Sequence, residues 1–169
     1  MPARPNYLIL VIVTLLSLAI DQLTKVYIDR VMDLHQSIPV IPDLFNITYV
    51  RNKGAAFGFL ANTSFRIPFF IFITVVAVFV ILFAYRKLRA DQKLAMVSLS
   101  MILSGALGNL IDRVRNGEVI DFLDVYWKNY HWPAFNVADS AICVGVFLLA
   151  IDMLREERRQ KSIQENHSI

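Results

Sequence analysis

Five aspartates in this sequence are candidates for chemistry: Asp21, Asp112 and Asp139 in or at the ends of long apolar runs, and Asp121 and Asp124 on the segment between the third and fourth runs. An ionisable side chain at membrane depth costs enough to mark a functional site by default. Two aspartates held within hydrogen-bond reach do not both ionise readily and so share one proton. The charged member can then take a proton from water while the other donates one to a leaving group. Such a pair hydrolyses a peptide bond without a metal and without a covalent intermediate. Spacing alone leaves the pair open among the five.

Other chemistries find less support. There is no HExxH, and His35, His131 and His167 lie far apart and outside the apolar runs, which speaks against a zinc hydrolase. Ser140 next to Asp139 is not an arrangement that activates a hydroxyl. The single cysteine, Cys143, excludes an internal disulfide and a Cys-based metal cluster. The charge of +3, from 17 basic and 14 acidic residues, is too slight and scattered for a nucleic-acid partner.

Each polar residue also has an ordinary reading. Asp21 and Lys25 are i, i+4 neighbours that can simply pair, Asp112 beside Arg113 can satisfy a helix end, and Asp139 fits the first turn of a helix with Asn136 as its N-cap. A proton- or ion-coupled transporter, in which buried aspartates relay protons, is the rival from another class. Its through-path is opposed by the middles of the second and third apolar runs, which carry no carboxylate.

The elements that must position these groups follow from composition. With 56% hydrophobic and 18% charged residues, the chain falls below the charge of about 25% usual in soluble domains. The sequence predicts an all-α membrane protein with four spans near 7–28, 67–85, 94–112 and 135–154, each close to the 20 or so residues that cross a bilayer. The third carries Ser100, Ser104 and Gly108 at i, i+4, i+8, a ladder that permits close helix approach. Four spans place both termini on one side. The loop 86–93 holds four basic residues in eight, which assigns that side to the cytoplasm. Basic residues number 9 on that side and 8 on the other, the latter spread over longer segments.

The spans then alternate in direction, and Asp21 with Lys25, Asn109 with Asp112 and Arg113, and Asn136 with Asp139 all meet near the outer face. Of the outer segments, 29–66 contains alternating apolar residues over 37–50 and a turn at Asn52-Lys53-Gly54, predicting a small sheet on the membrane. The segment 113–134, rich in Trp and Tyr, predicts an interfacial helix. Asn52, Arg51, Asp121 and Asp124 lie on these segments, within reach of the polar cluster. Residues 155–169 form a polar C-terminal tail, frayed or disordered.

Five blocks in order carry a family resemblance. Asp21-Gln22-Leu23-Thr24-Lys25, Asn52-Lys53-Gly54-Ala55-Ala56-Phe57, the run from Gly105 to Arg113, Val119-Ile120-Asp121-Phe122 and Phe135-Asn136-Val137-Ala138-Asp139-Ser140 resemble the motifs of the bacterial lipoprotein signal peptidases, signal peptidase II. One departure is Ser104, where many members have glycine. The resemblance implies that Asp121 and Asp139 are catalytic and that Asp21, Lys25, Asn52, Gly54, Asn109, Asp112, Arg113 and Asn136 support them or position substrate. It implies no cofactor and no metal. It further implies an inner-membrane enzyme with its active site near the outer face, which removes the signal peptide from prolipoproteins before a diacylglyceryl-modified cysteine and binds membrane lipid and globomycin-type inhibitors. The loop from Asn52 to Phe59 is expected to close over the site.

Overall fold

The computed structural model describes residues 4–54 and 65–167. In chain order the elements are α1 (Tyr7–Val31), β1 (Ser37–Ile41), β2 (Phe45–Asn52), α2 (Arg66–Arg86), α3 (Lys93–Asn116), β3 (Val119–Trp127), β4 (Tyr130–His131) and α4 (Val137–His167). Among the described residues four helical stretches are long and apolar enough to cross a membrane: Tyr7–Val31, Arg66–Arg86, Lys93–Asn116 and Val137–Lys161. Their outward side chains, among them Leu16, Phe72, Phe79 and Phe147, are exposed and apolar, as helices bathed in lipid require.

The third helix is the centre of the bundle, packing against α1, α2 and α4. Small side chains make this possible. Ser98, Ser100, Ser104, Gly105 and Gly108 are buried along α3, and the Ser98 and Ser100 hydroxyls donate to the carbonyls of Leu94 and Met96 one turn back. Those hydroxyls therefore impose no unpaired donor on the lipid-free interface. Gly105 faces the Ala138 carbonyl so closely that a Cβ would lie 2.2 Å from its oxygen. At its C-terminal end α3 stops at Gly117, whose φ of 72° is the left-handed conformation that turns the chain into β3.

One end of the bundle carries an antiparallel sheet in the order β1-β2-β3-β4. Strands β2 and β3 pair with Phe45 opposite Val125, Val50 opposite Asp121 and Asn52 opposite Val119, with a register shift between Ile47 and Val50. The sheet is seated on the C-terminal end of α1 through Ile28, Met32, Tyr49, Ile120 and Phe122. A second apolar cluster, around Tyr85, Met96 and Leu99, joins α2 and α3 towards the other end.

One expectation needs correction. The interfacial helix predicted for 113–134 is a strand over Val119–Trp127. Its β-branched and aromatic residues, with Val119, Ile120, Asp121 and Phe122 all buried in succession, are covered on both faces, so the segment lacks the alternation that marks a half-exposed strand. Of the two readings of the polar tail, helix or disorder, the structure has the helix, through His167, and the salt bridges Arg89–Glu156 at 2.9 Å and Arg159–Asp91 at 2.9 Å tie its first turns to the α2–α3 loop.

Replacing Gly105 by Ala is expected to cost about 1–3 kcal/mol, because α3 and α4 must separate to admit the methyl group. The measurement is the melting temperature in detergent. An unchanged value would show that the helices do not depend on this approach.

Candidate active site

The Lys25 ammonium is buried between α1 and α3, and its three donors meet three acceptors: Asp21 at 3.0 Å, Asp112 at 2.9 Å and the Asn109 side-chain carbonyl at 3.0 Å. The pair Asp21–Lys25 thus exists at i, i+4 as the sequence suggested, but Asp112 turns to Lys25 and not to its neighbour Arg113. Gly108 lies against Asp21, and a Cβ there would sit 2.5 Å from the carboxylate. Only glycine leaves room for the pair at this point.

Each acceptor reaches onward. Asp21 accepts the backbone N–H of Ala138 at 2.8 Å in the first turn of α4, and Asp112 accepts that of Ile120 at 3.3 Å in β3. The Asn109 amide donates to Asp139 at 2.8 Å. Asn136 and Asp139 close a reciprocal capping box, the Asp139 N–H donating to Asn136 at 3.0 Å and the Asn136 N–H to Asp139 at 3.2 Å. The Asn136 amide in turn donates to Asp121 at 2.7 Å, and the Asn52 amide reaches the other oxygen of Asp121 at 3.0 Å. Arg113 donates to the Gly54 carbonyl at 3.2 Å and lies over the Phe70 ring, 4.5 Å from its centroid.

Asp121 and Asp139 line one cavity of about 630 Å³, together with Asn52, Asn109 and Arg113 on its polar side and Phe135, Cys143 and Val144 on its apolar side. All ten residues singled out from the sequence are in this one network. Asp124 and Arg51 are not. Asp124, three residues from Asp121 on a strand with a two-residue repeat, accepts from Asn46 at 2.8 Å and faces His131 at 2.9 Å. Arg51 is drawn to Tyr49 and Asp29, which also bond to each other. Sequence reading passed over Gln22, whose amide donates to Asp21 and Asp112, both at 3.1 Å; its place inside the first motif was the available signal. The loop expected to close over the site falls on 55–64, outside the described residues.

Burial pushes the Asp121 carboxyl up to about 7, with the negative charge of Asp139 adding to it and the Asn52 and Asn136 donors and the Lys25 charge opposing. A carboxyl protonated near neutrality and a second one on the same cavity wall are what shared-proton chemistry requires.

The model of the Signal peptidase (SPase) II family matches residues 13–155. The chain belongs to the signal peptidase II family. It is 69% identical to the lipoprotein signal peptidase of Geobacter metallireducens over 93% of this chain and 97% of that one. Against the lipoprotein signal peptidase of Haemophilus influenzae it is 44% identical, covering 83% of this chain and 82% of the other. A solved bacterial membrane enzyme superposes with a TM-score of 0.82 at 35% identity, over 93% of this chain and 94% of that one. As a member of this family the chain is a membrane protease, and the polar network described above lies at the sheet end of its helix bundle.

Two outcomes follow from the network of this signal peptidase II. Lys25→Met leaves Asp21 and Asp112 buried without their cation and is expected to cost about 3–5 kcal/mol of stability; a loss below about 1 kcal/mol in thermal unfolding would contradict the keystone role. Asp121 in the folded protein holds its proton to about 7 against an ordinary value of 3.8. Between those values the folded state binds the extra proton, so this group's contribution falls as pH rises through the window. The melting temperature is expected to decline between pH 5 and 8, and the decline to shrink in Asp121→Asn.

Proposed function

We propose that Asp121 and Asp139 are the catalytic pair of an intramembrane aspartyl endopeptidase that cleaves prolipoproteins just before the diacylglyceryl-modified cysteine. Family membership makes the chain a membrane peptidase that processes prolipoproteins; the residue roles are our reading. The observation that carries it is the joining of the two aspartates through Asn136 on the wall of one cavity. In this reaction the ionised member takes a proton from a water that attacks the scissile carbonyl. The protonated member gives its proton to the departing amine, so the two exchange roles and the charge balances.

The supporting residues divide by their contacts. Asp21, Lys25 and Asp112 fix the helix ends, while Asn109, Asn136 and Asn52 orient the pair. Arg113, which uses two of its donors on Asn109 and Gly54 carbonyls, keeps others for the substrate backbone or the lipid ester oxygens. The apolar wall of Phe135, Cys143 and Val144 suits acyl chains or a signal helix, and the same cavity suits globomycin-type inhibitors. Membrane lipid is a partner of the whole outer surface. We assign the chain as one peptidase domain over 1–169, in the bacterial inner membrane, with both termini cytoplasmic and the site near the outer face. The basic α2–α3 loop supports that orientation.

The transporter alternative predicts ion flux in proteoliposomes, and a metal-assisted hydrolase predicts chelator sensitivity. Asp121→Asn and Asp139→Asn are each expected to lower processing of lipidated prolipoprotein by about 10²–10⁴-fold on a gel, with wild-type cleavage unchanged by chelator. Full processing by either variant overturns the pair, and loss of wild-type cleavage on chelation overturns the metal-free mechanism.

A further inference from the structure

Three carboxamides surround the two aspartates, and each has its orientation imposed by a group that can only donate. The Gly54 N–H occupies the Asn52 oxygen at 2.9 Å, so the Asn52 NH₂ faces Asp121. The Asp139 N–H occupies the Asn136 oxygen, so the Asn136 NH₂ faces Asp121. The Lys25 ammonium occupies the Asn109 oxygen, so the Asn109 NH₂ faces Asp139. Flipping any of the three would set donor against donor. Among the described residues, the hydrogen bonds that reach the two aspartate carboxyls come from N–H groups.

The surroundings of the two are unequal. Asp139 stands in the first turn of α4, where the helix dipole favours negative charge and the Asn136 backbone N–H caps it. It is partly open to the cavity. Asp121 is 2% exposed, lies on a strand that offers no comparable dipole, and receives only neutral side-chain amides.

We propose that Asp139 is the ionised base that activates water, that Asp121 carries the proton given to the leaving amine, and that Asn109 and Asn52 are positioning residues that set this order. The inference rests on the catalytic pair proposed above. The charged groups around the pair are Asp21 and Lys25 from α1 and Asp112 and Arg113 from α3. Lys25 holds the Asn109 oxygen and so turns the Asn109 amide towards Asp139. Burial of the Asp121 carboxyl, which pushes it up to about 7, acts in the same direction.

The test is the pH profile of kcat/KM for the full chain in detergent acting on lipidated prolipoprotein. Its acidic limb reports protonation of the base and its basic limb loss of the acid's proton, as properties of the coupled pair. Asn109→Asp keeps an acceptor for Lys25 but replaces the N–H aimed at Asp139 by an oxygen; the acidic limb is expected to move up by about one pH unit or more, the basic limb less. Asn52→Ala removes a donor from Asp121 and is expected to move the basic limb up while the acidic limb stays. Interchanged limb shifts, or a rate loss equal at every pH, would overturn the assignment. Asn52 lies at the end of β2, away from the Lys25 cluster, so its variant decides the matter alone if Asn109→Asp does not fold. Cleavage by Asp121→Asn or Asp139→Asn defeats the catalytic pair itself, whereas inactive aspartate variants with interchanged limbs defeat only the assignment.

Discussion

One ammonium group governs the architecture of the sheet-bearing half of this protein. Lys25 is buried in a membrane-spanning helix, where an unpaired cation is costly, and its three donors are taken up by Asp21, Asp112 and Asn109. Each acceptor then uses its remaining capacity on a different element: Asp21 on the start of α4, Asp112 on β3, Asn109 on Asp139. Satisfying one charge therefore fixes the mutual position of α1, α3, α4 and β3. Rotating α1 by one residue, about 100°, would carry Lys25 off this face and undo all three links at once.

Buried ion pairs contribute little net stability, because desolvation offsets most of the attraction. Their effect here is on which arrangement is allowed. Among the described residues no buried side-chain nitrogen or oxygen lacks a partner, so any alternative packing of the helices has to find the same number of acceptors elsewhere. The glycine at 108 belongs to this constraint, since the carboxylate of Asp21 occupies the space where a Cβ would stand.

The sequence made the span interiors legible because charge-free runs of membrane length admit few other structures. Span ends were less so: α1 continues through Val31 and α4 through His167, because polar residues can extend a helix once it leaves the lipid. Asp21, Lys25, Asn109, Asp112, Arg113 and Asn136 were legible as a group, since each is a polar side chain in or at the end of an apolar run; Gly54 came only from the family resemblance. Choosing Asp121 over Asp124 needed the family resemblance. Both lie on the segment predicted as an interfacial helix, where a three-residue spacing puts two side chains on nearly one face. On the strand that forms, the same spacing puts them on opposite faces, one turned to the cavity and the other to Asn46 and His131. Strand parity would have separated them, but burial on both sides of Val119–Phe122 removed the alternation by which a strand is read.

That strand also limits how a peptide can approach. One edge of β3 is paired with β2. On the other, the Ile120 N–H is held by Asp112, its carbonyl by Asn136, and the Phe122 and Leu123 N–H groups by the Phe135 carbonyl. The backbone flanking Asp121 therefore has no free edge for an added strand, the mode by which many peptides are bound to sheets. The groups that hold that edge closed, Asp112 and Asn136, belong to the network that begins at Lys25. The ammonium that fixes the helices thus also leaves the cavity, lined by the side chains of Asn52, Asn109 and Arg113, as the open approach to the Asp121 carboxyl.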